Sequence, residues 1–425
     1  METGVRRLLD NSLVLSISNV MGALLGFAIS LAIARTLGVV GLGRWTFCLA
    51  WVSVLTMISE FGLNTWLTRE AARSRECANQ LLMATLAAKL ALSGVLGGAL
   101  LLASPILGPD PEASAALRPA ALLLATGVAY GSFTALLRAF EQMRPILWLN
   151  VGGLLLQLIW SVASLRAGQG VPALVAIAAA VQTVQLAAAA GLWSVRWGRA
   201  GGGLRPTWPL MGTMLRRTWP FAAAGLVGAV QMRSGPLLLG YLRGEAEVGW
   251  FGAASRLSEA AKLIPNGLFA AAFPAFAATA SAGRTDLLWK SLGRVLVPLT
   301  LALALGLSLG ARPALRLAYG PPFLPAETAL IWLSLCLVPN LLNGGMEVYL
   351  YAAGDEVYAL ELGTLAVGIQ ILTSLPLITW FGASGAAVAM LLGEVAIWWP
   401  LRCRVRRRIE TPAEARATPR ERSPA

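Results

Sequence analysis

The chain has 425 residues, of which 57% are hydrophobic and only 13% charged, and its mean hydropathy is +0.67. Soluble domains are about 45–50% apolar, so the composition excludes a soluble fold and points to an all-α, polytopic membrane protein. The formal charge of +13 does not argue for nucleic acid, because the basic residues gather in short loops between apolar stretches and in the tail, where topology accounts for them.

The N-terminus, METGVRRLLDNS, lacks a small-residue cleavage site, so the first apolar stretch is expected to stay as a transmembrane helix. About twelve spans follow in chain order, at 12–34, 43–63, 81–103, 117–138, 145–166, 171–193, 218–240, 248–279, 287–310, 327–350, 357–380 and 383–401. An even number puts both termini on one side. Taking that side as cytoplasmic places Arg6, Arg7, Arg69, Arg73, Arg75, Arg138 and Arg144 inside, with the arginines of 194–217, the basic residues near 284–294 and those of the tail. The opposite loops hold far fewer, among them Arg35, Arg44, Arg118 and Arg243. This asymmetry supports a multi-pass protein of the inner (plasma) membrane with both ends cytoplasmic.

The segment 194–217 is Gly/Pro-rich and has six spans on either side. It divides the chain into a six-helix N-terminal lobe, 1–193, and a six-helix C-terminal lobe, 218–402, followed by a polar basic tail, 403–425, expected to be disordered. Shifting the sequence by 206 residues lays Gly22 on Gly228, Gly38 on Gly244, Gly43 on Gly249 and Leu81–Leu82 on Leu287–Leu288. Parallel six-span halves are a recurring transporter design in which a central cavity lies between them and is exposed alternately to each side.

Resident chemistry has little support. There is no histidine, and Cys48, Cys77, Cys336 and Cys403 are scattered without CxxC spacing, so neither a metal site nor a disulfide framework nor any cofactor is indicated. No phosphate-binding GxxxxGK[ST] loop occurs. The outer loops SPILGPDPEASAALR and ARPALRLAYGPPFLPA carry only Asp110, Glu112 and the adjoining Glu327 as acids, too sparse a set for a membrane glycan polymerase or glycosyltransferase.

Charges inside the spans are the candidate site. One Arg or Lys at a helix centre costs about 2.5–3.5 kcal/mol, so such groups need a partner, a wet cavity or a ligand. Arg256, Glu259 and Lys262 recur every three residues in GAASRLSEAAKLIPNGLFAAAFPAF, which Pro265 and Pro274 break. Either they neutralise one another along one face or they face a cavity, where Glu259 holds two cations against an anionic ligand. Arg233 sits inside 218–240 just before an expected break at Gly235–Pro236, with no acid in its own span; it either faces the cavity or pairs with Glu394 or Glu259. Lys89 either reaches the inner interface or joins the binding set. In-span amides such as Gln231 and Asn150 read as interhelical glue.

The stretches LAIARTLGVVGLGRWTF, EFGLNTWLTREAAR and EVGWFGAASRLSEAAKLIPNGLFAAAFP resemble the polysaccharide flippases of the multidrug/oligosaccharidyl-lipid/polysaccharide superfamily, over roughly residues 10–402. The resemblance implies a two-lobed bundle with a cationic cavity that moves a polyprenyl-diphosphate-linked oligosaccharide between leaflets. Membrane lipids, glycan polymerases and glycosyltransferases are the expected partners and a monomer the expected working unit, while the in-span charges Arg233, Arg256, Lys262, Glu259 and Lys89 are the candidate substrate contacts. The rival within the superfamily is a cation-coupled drug exporter, which favours intramembrane carboxylates. The first span has no Asp or Glu between Asn11 and Ala34, which weighs against it.

Overall fold

The computed structural model describes residues 2–197, 208–269, 285–352 and 354–410, and every regular element among them is helical. Helices are the natural outcome for apolar segments in lipid, because each satisfies its own backbone polar groups where no water is available. The middle of the 194–217 linker, the Pro274 end of the 248–279 span and residues 411–425 of the tail lie outside the described residues.

The first element, α1 (Glu2–Glu60), is followed by α2 (Leu63–Arg73), a short 3-10 turn, α3 (Ala78–Leu107), α4 (Pro111–Ala139), α5 (Met143–Arg166) and α6 (Val171–Trp197). Then come α7 (Trp208–Leu242), α8 (Glu245–Ala261), a helical stretch over 263–269, α9 (Thr285–Leu309), α10 (Ala311–Ala318), a 3-10 segment Pro321–Ala326, α11 (Glu327–Ala352) and α12 (Glu356–Glu410). Among the described residues, eight helices are long and apolar enough to cross a membrane. Two of these, Leu13–Glu60 and Val357–Arg408, have 48 and 52 residues, more than twice the length needed for a core of about 30 Å.

Each of these two long elements is divided by a glycine in a backbone conformation that side chains resist. Gly38 has φ 70° and ψ −163° inside α1, and Gly382 has φ 56° and ψ −131° inside α12. Both lie where non-glycine residues are strained. Gly38 separates the expected spans 12–34 and 43–63, and Gly382 separates 357–380 and 383–401. The expected break at Gly235–Pro236 does not occur, since α7 runs unbroken to Leu242. The stop expected near Pro265 does occur: α8 ends at Ala261 and Lys262 occupies a turn. A proline at 265 cannot donate to the carbonyl of Ala261 and crowds it.

The chain forms two compact units, Met1–Ala253 with Ala318–Phe323, and Ala254–Leu317 with Leu324–Ala425. In the first, α4 is the most enclosed helix, packed by α3 and α6 and touched by α1 and α2. Asp110 starts it, accepting the Ala113 amide at 2.6 Å with Pro111 behind it, as helix N-termini favour. Leu67, Leu81, Leu82, Phe133, Leu136, Phe140 and Trp193 fill one core of this unit. Asn79 accepts the Trp193 indole N–H there at 2.8 Å. In the second unit α11 packs on α9 and α12, burying Met346, Tyr349, Leu350, Ile397 and Leu401. Elsewhere large apolar side chains face outward, Leu102 at 85%, Ile106 at 84% and Leu309 at 83% exposure, the pattern of a surface solvated by lipid rather than water.

Candidate functional site

Lys89 lies on α3 and is wholly enclosed, with 0% of its surface exposed. Its ammonium donates to Asn64 Oδ1 of α2 at 2.5 Å and to the Val128 carbonyl of α4 at 3.3 Å. The Asn64 amide in turn donates to Glu60 Oε1 at 2.7 Å. The asparagine thus links a carboxylate at the end of α1 to a buried cation on α3, a charge compensation that an apolar interior requires. Lys89 therefore presents no surface to a ligand in this structure.

Arg233 is half-buried in α7 and belongs to the first unit. Arg256, Glu259 and Lys262 belong to the second. The Arg256 guanidinium sits 3.3 Å from Glu259, one helical turn on, with their side chains 35% and 42% exposed. A pair that open to its surroundings contributes about 0–1 kcal/mol and does not immobilise either group. Lys262 follows in the turn that ends α8, where its amide donates to the Glu259 carbonyl at 3.1 Å. Glu394 accepts the side-chain amides of Asn340 and Asn343, each at 2.7 Å. The Arg256–Glu259 pair leaves Lys262 as the surplus charge of this short stretch.

A different cluster went unread in the sequence. Arg44, on α1 beyond the Gly38 bend, spreads its guanidinium over three carboxylates: Nε donates to Glu245 of α8 at 2.8 Å, Nη1 to Glu112 of α4 and Nη2 to Asp110. Beneath it the 206-residue repeat becomes a contact. Gly43 packs on the Glu245 carbonyl and Gly249 on the Val39 carbonyl, so closely that a Cβ on either would strike backbone. These two contacts map onto each other under the same shift. Gly252 meets Thr46, its own mate. Gly38 and Gly244, also mates, both have positive φ. The repeat was the available signal. It placed the glycines in register but could not reveal that the two copies touch.

The nearby chain is tied in as well. Arg35 donates to the Ala318 carbonyl at 3.0 Å and the Trp250 indole to the Pro322 carbonyl at 3.1 Å, while Phe47 meets Tyr241 edge to face. All of these residues lie in the first unit.

Among solved structures, the chain is similar to an inward-facing multidrug resistance MATE family transporter of the MOP superfamily, with TM-score 0.75 and 17% identity over 93% of this chain and 96% of the other. It is similar to the lipid II flippase MurJ in an inward closed conformation, with TM-score 0.75 and 15% identity over 92% and 87%. It also resembles a MOP superfamily transporter from Pyrococcus furiosus, with TM-score 0.62 and 16% identity over 94% and 95%. At these identities the likeness establishes the fold. No curated protein matches by sequence. The family described as "Polysaccharide biosynthesis protein" matches residues 8–280, well over half the chain. The chain is a multi-pass membrane protein of the polysaccharide biosynthesis family, built on the fold of the MOP superfamily transporters.

Proposed function

We propose that this protein is a flippase that carries a polyprenyl-diphosphate-linked oligosaccharide from the inner to the outer leaflet of the cytoplasmic membrane by alternating access. The observation that carries this reading is the set of cations within the expected spans 218–240 and 248–279, Arg233, Arg256 and Lys262, in a member of a polysaccharide biosynthesis family. A diphosphate offers the negative charge that offsets cation desolvation, and a guanidinium grips phosphate oxygens through two parallel hydrogen bonds where an ammonium cannot. Glu259 supplies a counter-charge beside Arg256 between turnovers. Lys89 acts at one remove, through Asn64 and α2. The glycan travels in a wet cavity while the prenyl tail stays in lipid.

In this reading both termini are cytoplasmic, residues 194–217 join two six-helix lobes, and the protein works as a monomer beside the glycosyltransferases and polymerase that make and use its cargo. It moves its substrate without altering it. The test is transport by the purified protein in proteoliposomes, offering the lipid-linked oligosaccharide in one set and a fluorescent cationic drug in another. Leaflet exchange of the glycolipid without drug movement supports the reading. Drug movement without glycolipid exchange refutes it.

A further inference from the structure

The Arg44 cluster has more negative charge than its one cation can balance. Asp110 and Glu112 each serve the fold in a second way, since Asp110 caps α4 and Glu112 Oε1 accepts the Val171 amide at the start of α6, at 3.2 Å. Glu245 has no such second role. Its Oε2 takes the Arg44 Nε–H, while Oε1 is buried with no hydrogen-bond partner. An acceptor buried in that way is costly, and a proton on the carboxyl would turn it into a donor. Asp110 stands beside it as the acceptor. The other charged groups around Glu245 are Arg44 on α1, Glu112 on α4, and Arg243 and Glu247, which face each other at 3.8 Å across the turn into α8.

We propose that Glu245, with Asp110 beside it, is a proton-binding site that latches the contact between Val39–Thr46 and Glu245–Gly252, so that closing this contact takes up a proton and opening it releases one. The geometry supplies the coupling. Glu245 contributes both the carbonyl on which Gly43 packs and the carboxyl that Arg44 holds, so the two segments cannot part without exposing the carboxyl to water.

The direction follows from linkage. Burial pushes the Glu245 carboxyl up, Asp110 adds to the rise and Arg44 opposes it, leaving it at about 7 against an ordinary 4.5. A group whose affinity for protons is higher in the closed form favours that form below its ordinary value, and this preference fades as pH rises through about 7. Mild acid therefore closes the latch. The coupling rests on the alternating-access reading above, in which this contact must part once per cycle.

The experiment uses the full chain with its four cysteines replaced by serine and spin labels at Val40 and Leu242, both exposed positions flanking the contact. Distances are read in lipid nanodiscs from pH 5 to 8.5, with no substrate added. The expected result is a short distance at pH 5, a longer one growing in with a midpoint near 7, a pH-independent short distance in Glu245→Gln, and a long distance at every pH in Arg44→Ala. Monodisperse elution and full helicity of both variants show that they are folded. The proposal is overturned if Glu245→Gln keeps the wild-type midpoint or if the wild-type distance does not respond to pH. Because no cargo is involved, a titrating latch in a protein that fails to flip glycolipid rejects the flippase reading alone. A silent latch in an active flippase rejects the latch alone.

Discussion

Two ion clusters of similar size have opposite charge balance in this protein. In the first unit one arginine, Arg44, serves three carboxylates; in the second one carboxylate, Asp355, serves two arginines, Arg404 and Arg408, each through two hydrogen bonds of 2.6–3.1 Å. Burial works against the Asp355 charge, but the hydrogen bonds from Arg408 and Arg404 overcome it and hold the carboxyl below its ordinary value. Glu245 moves the other way. The sign of the surplus decides the behaviour. A surplus of arginine cannot titrate near neutrality, so the Asp355 cluster is a fixed staple joining the start of α12 to its far end, whereas a surplus of carboxylate can bind a proton and change.

The comparison breaks most severely at Arg44. Replacing it with alanine leaves three carboxylates facing one another, and removal of one partner from a largely desolvated set costs about 3 kcal/mol. Thermal unfolding in detergent, followed with a dye that reacts with newly exposed Cys48 and Cys336, should show a large loss of stability at pH 8. The loss should be smaller at pH 5.5, where Glu245 carries a proton. An equal loss at both values would show that Glu245 does not titrate in this window.

Asp355→Asn should cost somewhat less, about 2 kcal/mol, since Arg404 and Arg408 are partly exposed and regain some hydration. Here pH should not matter between 5.5 and 8: a carboxyl with a lowered value contributes fully above its ordinary 3.8 and loses that contribution only as pH falls through its folded value. A pH-dependent loss in this range would refute the staple.

Lys89→Met is expected to have the smallest effect, within about 1 kcal/mol of wild type in the same unfolding assay, because methionine fills much of the volume, the wholly buried charge leaves with its desolvation cost, and Glu60 keeps the Asn64 amide as its donor. It still leaves Asn64 Oδ1 without its strongest donor, so Lys89→Ala, which adds a cavity, should cost more. If Lys89→Met unfolds the protein, the ammonium is the pivot of the α2–α3–α4 packing rather than a compensated charge within it.

Ten of the twelve expected spans were legible because a bilayer core demands long apolar runs, and the bends in α1 and α12 fell between expected spans that the glycines then separated; among the described residues, 218–240 and 248–279 do not fall on a helix that is long and apolar enough to cross a membrane. The Gly235–Pro236 reading failed because a proline motif alone does not reveal whether neighbouring groups will carry a helix through it. Arg256, Glu259 and Lys262 were legible as charges out of place, and their helical spacing allowed the Arg256–Glu259 pair seen at 3.3 Å, one of two readings left open. The Arg44 cluster was not. Its partners lie 66, 68 and 201 residues away, and in sequence each is an ordinary loop charge. The enclosure of Lys89 was not legible for the same reason: its acceptors are 25 and 39 residues distant, and its own span left open a reach toward the interface or a place in the binding set.

Whether arginines on these spans grip the diphosphate of a lipid-linked oligosaccharide is decided by glycolipid flipping in proteoliposomes with Arg233→Ala and Arg256→Ala. Losing a bidentate charge-assisted contact is worth about 1.5–3 kcal/mol, so each variant should flip at least about tenfold more slowly than wild type while inserting normally. Arg→Lys should restore part of the rate, and Glu259→Gln should be milder than either alanine variant. Full activity in both Arg→Ala proteins would contradict the account and leave the stripe a structural feature.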